Sequence, residues 1–72
     1  PLDFVKNEDG YYLILDSKEK ELGYLVKNEA GLWVWSVEIA KELIISDEHE
    51  EKEKAIDDLK VFLVKHWIIS SR

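Results

Sequence analysis

Two histidines, five serines and sixteen carboxylates are the groups in this 72-residue chain whose chemistry goes beyond packing; there is no cysteine and no threonine. Nucleophilic catalysis needs a nucleophile, a base within reach of it and a third group that orients the base. His66 falls beside Trp67 on the apolar arc of a C-terminal helical pattern, where an imidazole is a buried, hydrogen-bonded core group rather than a base. Each serine has a simpler role: Ser17 in a loop, Ser36 on a strand, Ser46 as a helix cap, Ser70 and Ser71 at the chain end. His49 and Glu53, four apart with Glu50 adjacent, reach one cation if helical, but two or three ligands without a second motif make a solvated histidine beside carboxylates. Gly10, Gly23 and Gly31 form no phosphate-binding loop, and the carboxylate pairs lie on exposed helix with no cleft to serve. The chain reads as a non-enzyme with no metal, no cofactor and no small-molecule substrate.

Charge narrows the partners. Sixteen acids against ten bases give a net charge of −6, concentrated in Asp47, Glu48, Glu50, Glu51, Glu53, Asp57 and Asp58. A nucleic-acid binder neutralises phosphates with clustered lysine and arginine, so direct nucleic-acid binding is disfavoured. Trp33, Trp35 and Tyr24 suggest a stacking platform for bases, yet their charged neighbours are Glu29 and Glu38. The acidic run is a solvated helix face or a surface that docks on a basic protein, with nucleic-acid mimicry as the extreme. No apolar run approaches a membrane span of roughly 20 residues. With the lack of cysteine, this leads to the expectation of a soluble, cytoplasmic protein.

The elements that would position these groups follow from a repeat. Val5-Lys6-Asn7-Glu8-Asp9-Gly10 returns as Val26-Lys27-Asn28-Glu29-Ala30-Gly31, each copy flanked by extended apolar residues. Asparagine at the first turn position and glycine at the last make each copy a hairpin. Two hairpins joined by the polar Asp16 to Glu21 predict an antiparallel β-meander of about four strands. Trp33, Trp35, Val37 and Ile39 share the face that becomes core; Leu22, Tyr24 and Val26 share a face of their strand. Residues 40–45 lean towards extended structure because Ile44 and Ile45 are β-branched.

From Ser46 or Asp47 to about residue 69 the pattern is helical, with Glu48 to Lys52 and Glu50 to Lys54 spaced as ion pairs. Ala55, Ile56, Leu59, Phe62, Leu63, His66 and Trp67 project on one arc, which should cover the sheet. Val61, Val64 and Ile68 project almost opposite. The expected architecture is one α+β domain over residues 1–72: a sheet over 1–45 and a C-terminal helix over 46–69 on one face.

These features make a small acidic protein-protein interaction module, acting as a homodimer, a subunit or an inhibitor of a larger protein. The contacts fall to the outer helix stripe Val61, Val64 and Ile68, to an open sheet face holding Tyr12 or Tyr11, Leu25, Val34 and Leu32, and to the acidic Glu48, Glu50, Glu51 and Glu53 as an electrostatic guide. The alternative is an acidic inhibitor, of the kind phages and mobile elements encode, that mimics nucleic acid and blocks a basic nucleic-acid-binding surface.

Overall fold

Repeated turns build the sheet. In the structure, a computed structural model that describes residues 1–70, strands β1 (Asp3–Lys6), β2 (Tyr12–Leu15), β3 (Glu21–Lys27), β4 (Trp33–Ile39) and β5 (Glu42–Ile45) precede helix α1 (Lys52–Ser70). All neighbours pair antiparallel in the order β1-β2-β3-β4-β5. The meander therefore has five strands rather than about four, the fifth formed by the segment around Ile44 and Ile45.

Three of the four connections share one design, although only two are legible as repeats. In each, the Oδ1 atom of Asn7, Asp16 or Asn28 accepts backbone N–H bonds from the second and fourth residues beyond it, at 2.8–3.2 Å. The main chain closes identically: the N–H of the Asx residue donates to the carbonyl four residues on, and the third residue donates back. That third residue takes positive φ in every copy, 90° at Gly10, 62° at Glu19 and 81° at Gly31. Glu19 thus occupies a glycine position, with Asp16 where the others have asparagine. Donation from the N–H of Lys20, then Lys18, holds the Asp16 carboxyl below its ordinary value. The fourth connection is a two-residue loop, Ala40 and Lys41, both left-handed as a type I′ hairpin demands.

Register assigns the faces. Opposite residues in an antiparallel pair share a side, so Phe4, Ile14 and Gly23 align, as do Tyr12, Leu25 and Trp35. This side receives α1, and the core consists of Ile14, Leu25, Trp35 and Val37 from the sheet with Ala55 and Leu59 from the helix. Phe62 lies against Trp35 with ring centroids 5.3 Å apart, and His66 stacks on Phe62 at 6.2 Å. Trp67, expected on the covered arc, is exposed instead. At 1.5 Å per residue the 19-residue helix is about 28 Å long, and near its end Trp67 lines a surface groove with Pro1, Leu2 and Leu63 rather than the core.

The helix also begins later than Ser46 or Asp47. The Ser46 hydroxyl accepts the Trp35 N–H at 2.9 Å and donates to the Asp47 carbonyl, while the Ser46 N–H donates to the Trp35 carbonyl. His49 then exchanges both backbone bonds with Trp33. Residues 46–49 therefore extend β5 along β4, and Glu48 and Glu50 precede the helix in which their ion pairs were expected. The Glu48 carboxylate accepts a bond from the Asn28 side-chain amide at 2.6 Å.

Gly23 is where the sheet tolerates no side chain. A bulge between Ile14 and Leu15 shifts the register, and a Cβ built on Gly23 would lie 1.9 Å from the Ser36 carbonyl oxygen and 2.8 Å from the Val37 Cα. Both are backbone atoms of β4, which cannot rotate aside. Gly23→Ala is therefore expected to destabilise the fold by about 1–3 kcal/mol or more, read as a lowered urea midpoint. Glu19→Gly should act oppositely, stabilising by about 1 kcal/mol through relief of left-handed strain; an unchanged midpoint would show that the turn is not strained.

Candidate functional site

With one helix covering one face, the other face is open. Val5, Leu13, Tyr24, Ser36 and Ile45 line up side by side across all five strands, and Val26 lies opposite Val34 in the next row. Leu43 and Ile45 are each 64% exposed, and Val5, Val26 and Tyr24 are between 40 and 47%. Tyr11 meets Tyr24 edge to face with centroids 5.2 Å apart. Together these residues make a contiguous, largely apolar surface on the side of the sheet that α1 leaves uncovered.

The border of the face is acidic. Asp3 and Glu21 flank Leu15 at one end of the strands, with Glu38 opposite Leu43 at the same end. Glu8, Asp9 and Glu29 sit in the turns at the other end, and all six are exposed. The Tyr24 hydroxyl donates to the Glu21 carboxylate, which raises the phenol above its ordinary value because ionisation would set two negative charges together. Between Tyr24 and Leu43 the small Ser36 leaves a cleft of about 510 Å³, with Lys20, Lys41, Glu21 and Glu38 around it.

Register redistributes the residues expected on this face. Val34 lies there. Leu25 does not: opposite Trp35 and fully buried, it belongs to the core under α1 and meets no partner. Tyr12 is likewise on the covered side, 6.2 Å from Trp33, with the Lys52 ammonium 4.9 Å over its ring. Tyr24 and Trp35 face opposite ways, so the three-ring stacking platform is not assembled. Val5, Leu13, Val26, Leu43 and Ile45 are open-face residues beyond those expected from the sequence. Their signal was the turn at Asn28–Gly31: once it sets Lys27 opposite Trp33, a core Trp35 entails a core Leu25 and an outward Tyr24 and Val26.

Val61, Val64 and Ile68 form an exposed stripe on α1. The stripe lies on the side of the helix away from the sheet, so it and the open sheet face point in opposite directions, and one flat partner engages only one of them. Val64 also lines an apolar groove of about 460 Å³ with Pro1, Leu2, Leu63 and Trp67. Glu50 and Glu51 are exposed just before the helix and Glu53 in its first turn. His49 pairs with Asp58 at 2.9 Å rather than with Glu53, and among the described residues no group of three His, Cys, Asp or Glu side chains is placed to hold a metal ion. No helix of the described chain is long and apolar enough to cross a membrane.

Comparison of the chain with protein-family models, curated proteins and solved structures finds no match. The electrostatic contact between Tyr24 and Glu21 is testable: Glu21→Gln should move the Tyr24 titration down towards the ordinary value of 10.0, followed as tyrosinate absorbance. In the wild type, any stabilisation from this pair is present below the unfolded tyrosine value and is lost as pH rises through the folded one. An unchanged titration would show that the phenol and carboxylate do not interact.

Proposed function

We propose that this chain is a small acidic protein-interaction module, a subunit or inhibitor rather than an enzyme, which binds its protein partner through the open face of its sheet. The observation that carries the reading is the uncharged row Val5, Leu13, Tyr24, Ser36 and Ile45, continuous across five strands and left without a covering layer. A half-covered sheet satisfies the packing of a domain only on its helix side; the other side gains by docking on another molecule. Tyrosine and branched aliphatic side chains contribute contact area at little conformational cost, and the acidic border steers encounter.

Mimicry of nucleic acid is the weaker reading, because it needs carboxylates as contact atoms and two in the acidic region are engaged internally: Glu48 with Asn28, Asp58 with His49. The sheet face needs no such rearrangement.

Matched variants separate the two apolar surfaces. Leu43→Thr/Ile45→Thr keeps strand-compatible side chains and the net charge, so circular dichroism and melting should change little. Affinity capture or solution mass should nevertheless show association lost in this variant and retained in Val64→Gln. Loss in Val64→Gln with retention in the sheet variant would transfer the function to the helix stripe.

A further inference from the structure

The chemistry of the partner can be read from the border of the open face, on the reading of that face as the docking surface. We infer that its occupant is a basic amphipathic protein segment, apolar along its centre and flanked by lysine or arginine, and not a second copy of this chain.

The centre of the face is neutral, and both ends are acidic. Glu8, Asp9 and Glu29 stand at one end. At the other, Asp3, Asp16, Glu19, Glu21 and Glu38 outnumber Lys18, Lys20 and Lys41. A face-to-face pair of copies has its two-fold axis in the plane between the sheets. An axis along the strands sets the end with Glu8, Asp9 and Glu29 over the same acidic end of the other copy. An axis across the strands sets them over the end with Asp3, Asp16, Glu19, Glu21 and Glu38, where five acids face three lysines. Like charges therefore oppose in either arrangement, between two molecules that each carry −6.

A partner with cationic flanks reverses every one of these contacts while keeping the apolar centre. The gap over Ser36, walled by Tyr24 and Leu43, then receives one protruding side chain of that segment. Anionic membrane surfaces and nucleic acids share the wrong charge with this border and are rejected by it.

The test uses two synthetic helical peptides with the same leucine stripe, one flanked by lysine and one by glutamate, titrated into the full chain by calorimetry at low and high salt. The lysine peptide should bind about tenfold or more tightly than the glutamate peptide, weaken with salt, fail to bind Leu43→Thr/Ile45→Thr and still bind Val64→Gln. Equal binding of both peptides, lost in the sheet variant, would overturn the charge selection while upholding the face as a docking surface. Lysine-peptide binding unaffected by the sheet variant would reveal generic attraction to the acidic 47–53 segment and overturn the inference. If neither peptide binds and light scattering shows a dimer abolished by the sheet variant, the occupant is a second copy. If neither binds and the chain is monomeric, the inference and the proposed function both fail.

Discussion

The packing of α1 against β4 and its neighbours governs the remainder of the molecule. Ala55 and Leu59 are small and medium-sized residues that let the helix approach the sheet, and Phe62 closes over Trp35. That contact selects which side of each strand is core, because register carries the choice from Trp35 to Leu25 and Tyr12, and from Gly23 to Ile14 and Phe4. A five-stranded sheet about 24 Å wide at 4.8 Å per strand has two sides, and one helix covers only one of them. The uncovered face is thus a consequence of the architecture. Its residues stay largely apolar where a solvated sheet face would alternate to polar, and the proposed docking role rests on that difference.

The same economy explains the connections. Three turns of one geometry, each closed by an Asx side chain, set four strands in register without long loops. The linker from β5 to α1 is used twice: Ser46 and His49 continue pairing with β4, and Glu48 ties back to the turn at Asn28. The Lys52 ammonium over Tyr12 and the His49–Asp58 pair then fix the start of the helix. Not every group is satisfied. The indole N–H of Trp35 is buried without an acceptor among the described residues, a cost of about 1–3 kcal/mol accepted for the ring's packing.

Much of this was legible in the chain. The Asn-x-x-Gly repeat located two hairpins, the tryptophans of β4 identified the covered side, and the 3.6-residue period placed Ala55 and Leu59 beneath the sheet and Val61 and Val64 away from it. The third turn escaped because Glu19 breaks the glycine pattern while keeping its backbone conformation. The helix start was misplaced because Ser46 and Asp47 carry capping side chains, and only the long-range bonds of Ser46 to Trp35 show that pairing wins over capping. Leu25 lies on the covered face because the second hairpin pairs Lys27 with Trp33 and hence Leu25 with Trp35; the repeat locates the hairpin, and its register is what settles the face. The bulge at Ile14, which needs the bare Gly23 against β4, has no local signature beyond the glycine itself. Periodicity alone puts Trp67 on the covered arc, but it carries no information on how far the helix–sheet contact runs.

The central claim is that one apolar face is covered by α1 and the other is open to solvent until a partner arrives. Methyl-resolved NMR with a soluble paramagnetic agent measures this side by side in one sample. The account predicts strong signal attenuation for Val5, Val26, Leu43 and Ile45 and protection of Ile14, Leu25, Val37 and Leu59. Equal protection of both sets at low protein concentration would contradict it, since the sheet would then be covered on both sides within a single chain.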